Sequence, residues 1–257
     1  MRCELEICAY SLESCSAAKA AGADRVELCA GFYEGGTTPS WATIRLARKL
    51  TEGMELYVMV RPRGGDFLYS DLEFRQMQEE IRCIRETGAD GVVLGILDTA
   101  GRIDVRRTTE LVKCAAPLKV TFHRAFDMCR DGREALESVL ETGCYRILTS
   151  GLQNTAPEGR EALKELVKQA DGRIRIMAGS GVNAANVASL VNLGVDAVHM
   201  SGKSVRDSGM AFRNPAVCMG GVPGIPEYDI AYSDEAKIRE VRAVLDRLSG
   251  IVSIGKI

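Results

Sequence analysis

Gly22-Ala23-Asp24-Arg25-Val26-Glu27-Leu28 is the first of four similar runs in the chain. It returns as Gly88-Ala89-Asp90-Gly91-Val92-Val93-Leu94, Gly143-Cys144-Tyr145-Arg146-Ile147-Leu148 and Gly194-Val195-Asp196-Ala197-Val198-His199. Each run closes a helix-like stretch and opens a strand-like one. Glycine suits the left-handed residue that stops a helix, because it has no Cβ to clash. The intervals between these glycines, 66, 55 and 51 residues, each hold one β-α-β-α quarter. Four quarters make eight strands alternating with eight helices, an α/β chain that closes as a single (β/α)8 TIM barrel over residues 1–257. Function then belongs in the loops that leave the strand ends.

The remaining strands fit at 2–8, 55–61, 117–123 and 173–178. Helices are expected at 12–21, 40–51, 71–87, 104–115, 132–142, 156–169, 183–193 and 233–248. Ser70-Asp71-Leu72-Glu73 and Thr155-Ala156-Pro157-Glu158 have the form of capping boxes. Two loops are long: 61–69 after the third strand, and 201–232 after the eighth. The second carries Met210, Phe212, Val217, Ile225 and Tyr228, and is expected to be ordered, as a cover for the barrel mouth or as a subunit contact.

At 257 residues the chain has the length of one such barrel. Net charge is −2 with both signs interspersed, which gives no nucleic-acid footprint. No apolar run is long enough for a membrane span, and the acidic N-terminal segment reads as a strand rather than a signal peptide. Nine scattered cysteines without an export signal read as reduced thiols, hence a cytoplasmic protein. A homo-oligomer, dimer or higher, is expected.

Side chains alternate along a strand, so Glu4, Glu6 and Cys8 share one face and Arg25, Glu27 and Cys29 share another. Leu5, Ile7, Val26 and Leu28 can then face the helices, with the polar set inside the barrel. Buried carboxylates need partners, and Arg25, Arg61 and Arg63 are the candidates for Glu6 and Glu27. The set reads either as a structural ion network or as a ligand site. Arg61 and Arg63, beside Gly64-Gly65, can also hold a carboxylate or phosphate. His123 and His199, the only histidines, both fall at strand ends. His123 is a candidate acid or base, oriented by Asp127 unless Arg124 claims that carboxylate. Thr149-Ser150-Gly151, Gly179-Ser180-Gly181 and Ser201-Gly202-Lys203 follow strands six, seven and eight, and the last two lie where barrels bind phosphate. Glu6, Glu27, His123 and Asp127 are thus candidate catalytic groups. Arg25, Arg61, Arg63, Arg124, Thr149, Ser150, Gly179, Ser180, Gly181 and His199 are candidate ligand contacts. No organic cofactor is indicated, and whether the site does chemistry is left open. No Cys-x-x-Cys or His-x-x-x-His motif marks a zinc site. Cys8 and Cys29, ending neighbouring strands, are either two buried free thiols or a soft pair for Cu(I).

Several of these strings resemble the CutC family of copper homeostasis proteins. They are Glu6-Ile7-Cys8, Gly22 through Cys29, Glu34 through Ser40, Arg61 through Ser70, Gly91 through Asp98, Thr121 through Asp127, Arg146 through Gly151, Gly209-Met210 and Asn214-Pro215. The resemblance spans nearly the whole chain. It implies a cytosolic (β/α)8 barrel, often oligomeric, tied to copper handling, with Cys8 and Cys29 matching the family's proposed copper thiols. Two positions depart from the pattern: Ser180 interrupts a usual run of glycines, and Met200 replaces a small residue. The alternative is an enzyme or sensor acting on a small anionic, possibly phosphorylated, metabolite at the C-terminal barrel face.

Overall fold

The computed structural model describes residues 2–219 and 225–250. Eight parallel strands close into a barrel in chain order: β1 (Glu4–Ala9), β2 (Arg25–Leu28), β3 (Glu55–Met59), β4 (Gly91–Leu94), β5 (Lys119–Phe122), β6 (Arg146–Thr149), β7 (Arg175–Gly179) and β8 (Ala197–Met200). β8 returns to β1, which sets His199 level with Glu6, while Cys8 is level with Glu27 on β2. Around them lie α1 (Leu12–Ala20), α2 (Trp41–Leu50), α3 (Asp71–Arg85), α4 (Val105–Ala115), α5 (Gly132–Thr142), α6 (Arg160–Ala170), α7 (Val187–Val191) and α8 (Glu235–Leu248). Among the described residues no helix is long and apolar enough to cross a membrane.

The repeated run works through its third residue as well as its glycine. Gly22, Gly88, Gly143 and Gly194 have φ between +78° and +89°, the left-handed turn that stops each helix. Asp24, Asp90 and Asp196 then each hold the start of the preceding odd strand. Their carboxylates accept from the N–H of Leu5, Leu56 and Ile176, all at 2.8 Å. Their own N–H groups donate to the carbonyls of the same three residues. Tyr145 keeps the backbone bond, to Val120 at 2.8 Å, and offers its ring to Lys119, Arg146 and Arg175 instead of a carboxylate.

Leu5, Ile7, Val26, Leu28, Leu56 and Val58 are all fully buried in the apolar layer under the helices, so the polar faces point into the barrel as the alternation requires. The Ser70 capping box forms, with Glu73 accepting from the Ser70 N–H at 2.7 Å. The second expected box does not open a helix. Glu158 accepts from the Thr155 N–H at 3.0 Å, but Ala156 is drawn to the Ser180 carbonyl at 2.9 Å and α6 starts only at Arg160. The seventh helix shrinks from 183–193 to Val187–Val191, because Asn183 and Asn186 turn their side chains onto the backbone ahead of it. The 201–232 segment is not one loop. It contains β9 (Lys203–Asp207) and β10 (Asp229–Ser233), an antiparallel ribbon; residues 220–224 of that expectation lie outside the described residues.

Candidate functional site

A cavity of about 710 Å³ opens at the C-terminal ends of the strands. Its deepest corner is built by three adjacent strands. Cys8 from β1, Glu27 from β2 and His199 from β8 are all buried, and each offers a donor atom within 4.8 Å of the others. The Cys29 Sγ lies 3.8 Å from the Cys8 Sγ and 3.6 Å from Glu27 Oε2. His199 is held from below: its Nδ1–H donates to Glu6 Oε1 at 2.8 Å, and its Nε2 is 3.7 Å from Glu27 Oε2.

Charge in this corner is sorted by contacts. Burial alone would neutralise Glu6, but Arg25, His199 and Arg146 hold its carboxyl well below the usual range. Burial likewise opposes the imidazolium, yet Glu27, Cys8 and Glu6 raise His199 well above its ordinary value. The Cys29 hydrogen bond, aided by His199 and Tyr10, pulls Cys8 down against its burial. Cys29 is pushed up by the same contact and by burial. Burial also drives Glu27 upward. Cys8 is thus drawn toward the thiolate and His199 toward the imidazolium beside the Glu6 carboxylate, while Cys29 and Glu27 are pushed toward their neutral forms.

Arg25 is the partner of Glu6, as one of the candidates; it also donates to Glu4 at 3.0 Å and Glu55 at 2.8 Å. Arg61 and Arg63 do not join that network, which corrects the expectation from sequence. Arg61 donates to the carbonyls of Glu34, Gly36 and Gly65 at 2.8–2.9 Å. Arg63 pairs with Glu73 at 2.6 Å and Asp66 at 3.0 Å. Both sit past the end of β3, so their side chains meet loop carbonyls and α3 before they can turn into the barrel. The second interior cation is Arg146, which sequence reading passed over; it reaches Glu4 at 2.8 Å.

His123 is not oriented by Asp127. Its Nδ1 accepts from the Ala125 N–H at 3.1 Å. Asp127 is taken by Arg124 at 2.7 Å, Thr149 at 2.5 Å, and the N–H groups of Ser150 and Leu152 at 3.0 and 3.1 Å. Arg124, Arg61, His123, Ser180, Gly181 and His199 line the cavity. Arg63, Thr149, Ser150 and Gly179 lie outside its lining, as do the more deeply set Arg25, Glu6 and Cys29. Lys203, from the expected phosphate loop after β8, lines the cavity, and Lys237 and Tyr10 are lining residues that were not among the candidates. Ser180 holds φ +76°, a strained value for a non-glycine residue, with its Oγ donating to the Asn154 carbonyl at 2.7 Å.

Burial, with Arg61 nearby, lowers His123 to about 3 from 6.5. The unfolded chain therefore takes up a proton below pH 6.5 that the folded chain refuses. Stability from this group is complete above pH 6.5 and falls by up to about 1.4 kcal/mol per pH unit as pH drops toward 3. His199, shifted the opposite way, is protonated in both states below 6.5. Urea melts between pH 6.5 and 5 should thus show a slope that His123→Gln removes. An unchanged slope in that variant would mean His123 is reached by water.

The CutC family model matches residues 3–204. The family protein CutC of Bacteroides fragilis is 48% identical over 249 residues, covering 96% of this chain and 97% of that one. A human protein named copper homeostasis protein cutC homolog is 44% identical over 241 residues, covering 93% and 88%. A solved structure of CutC from Streptococcus agalactiae superposes with a TM-score of 0.74 at 36% identity, covering 78% of this chain and 99% of that one.

Proposed function

The chain belongs to the CutC family, and from that premise we propose that it binds copper as Cu(I) at the thiol corner of the cavity. Cys8 and Cys29 are the ligand pair, with His199 beside them. The observation that carries this reading is the buried contact between the two sulfurs, 3.8 Å apart, with one thiol already drawn toward the thiolate. Thiolate and imidazole are the soft donors that Cu(I) selects, and binding would displace the protons of Cys29 and of the His199 ring, whereas the carboxyl oxygens of Glu27 are hard donors that it does not favour. The donor set therefore fits the ion. The buried cysteines, Cys8 and Cys29 among them, are thiols rather than disulfides, which suits a reducing, cytoplasmic setting.

Anaerobic titration of Cu(I) against a chromophoric chelator tests the reading. Wild type is expected to take one Cu(I) per chain. Loss of an outer partner of a ligand commonly costs tenfold to a hundredfold, so removing both sulfurs with Cys8→Ser and Cys29→Ser should weaken binding more than about a hundredfold. A double variant that folds by circular dichroism and binds as tightly as wild type would end the proposal.

A further inference from the structure

We propose that the rest of the cavity binds a small phosphorylated metabolite of sugar-phosphate size, independently of the thiol corner. The Cys8 sulfur and the His199 imidazole, with Cys29 set behind them, occupy one end of a space of about 710 Å³, a volume typical of small-molecule sites. Two side-chain atoms of lining residues away from the thiol corner are buried without a hydrogen-bond partner: Arg61 Nε and His123 Nε2. Unpartnered buried polar atoms are few in native proteins, and a ligand is one way to satisfy them.

Their chemistry narrows the ligand. His123 Nδ1 accepts from a backbone N–H, so in the neutral ring Nε2 carries the proton and donates. Arg61 Nε is a second donor. Two buried N–H donors suit hydroxyl or carbonyl oxygens, not a hydrocarbon. The outer wall differs. Lys203 and Lys237 both line it and are exposed; Lys237 Nζ donates to the Lys203 carbonyl at 2.9 Å, which keeps the two side chains' origins together. Among the described residues neither pairs with a carboxylate, and Lys203 Nζ instead sits 5.3 Å from the centre of the Phe32 ring. Glu240 also lines the cavity, leaving the two lysines in excess on this wall. Lys203 opens β9 just beyond β8 and Lys237 lies in the first turn of α8; Ser180 and Gly181, beyond β7, line the same cavity, and the ends of strands seven and eight are where (β/α)8 barrels take phosphate. A phosphate at the lysines and hydroxyls at the inner atoms uses both sets.

Isothermal titration of glycerol 3-phosphate, ribose 5-phosphate and glucose 6-phosphate, with ribose and inorganic phosphate as partial ligands, tests the proposal. At least one ester is expected to bind at least about tenfold more tightly than ribose or phosphate alone, because it meets charged and neutral contacts together. The exposed pair Lys203→Ala and Lys237→Ala should weaken that ester by about tenfold or more and leave ribose unchanged. The Cys8→Ser, Cys29→Ser variant should retain ester binding while losing Cu(I), which separates this proposal from the copper reading. The proposal is overturned if no ester binds, if phosphate alone binds as tightly as every ester, if the lysine variant is indifferent, or if the thiol variant abolishes ester binding.

Discussion

Replacing Arg25 by Met is expected to destabilise the barrel by about 3–5 kcal/mol, the cost of stripping one partner from a buried ion pair. Arg25 is fully buried and lies against three carboxylates, Glu4, Glu6 and Glu55, with its guanidinium 5.0 Å from the centre of the Tyr57 ring. Met fills a similar volume, so the loss is electrostatic rather than a cavity. Glu6 is the member that suffers most: it is fully buried, and its remaining cations are His199 and Arg146. Adding Glu6→Gln to Arg25→Met should recover part of the loss, since the stranded charge is gone. The acid limb gives an independent check. Glu6 is held below its ordinary 4.5 by Arg25, against burial, so its contribution is present above 4.5 and lost as pH falls below it. The gap between wild type and Arg25→Met in urea melts should therefore narrow below about pH 4. A gap under 1 kcal/mol at pH 7 would mean that Arg146 alone satisfies the carboxylates.

The barrel was legible because its signal is repeated and local. A glycine that ends a helix, followed by alternating residues, reports its role within seven positions of the chain, and Gly22, Gly88, Gly143 and Gly194 all play it. What the aspartates do was hidden, because Asp24 reaches back to Leu5 in the preceding strand and sequence shows no such return. Interior polarity was also readable, since Glu6 and Arg25 alternate with apolar residues.

Their full set of partners was not. His199 joins Glu6 only because β8 closes on β1, a contact between opposite ends of the chain. Arg146 reaches Glu4 across the barrel interior. Arg61 and Arg63 misled for a different reason. A long flexible cation just past a strand can reach inward, but backbone carbonyls of its own loop and of the loop after β2 are nearer, and a sequence displays no carbonyls.

The other large effect belongs to Asp127. Asp127→Ala is expected to cost about 3–4 kcal/mol, because buried donors left without an acceptor each cost about 1–3 kcal/mol and the losses here overlap. The carboxylate side chain is only 5% exposed. It takes the Ser150 N–H, the Leu152 N–H and the Thr149 hydroxyl, together with the Arg124 guanidinium. Leu152 has φ +61°, a left-handed value unusual for a branched side chain, and its bond to Asp127 helps hold it there. Without that bond the 150–153 turn should relax, and Arg124, a cavity residue, should lose its fixed position. Asp127→Asn keeps one acceptor oxygen and should cost about 1–2 kcal/mol. Urea melts give the energies, and amide exchange at Ser150 and Leu152 locates them. Faster exchange at those two amides, with α3 and β3 unchanged, is the expected pattern. If Asp127→Ala costs less than Asp127→Asn, the carboxylate is a stored strain rather than the clasp of this loop.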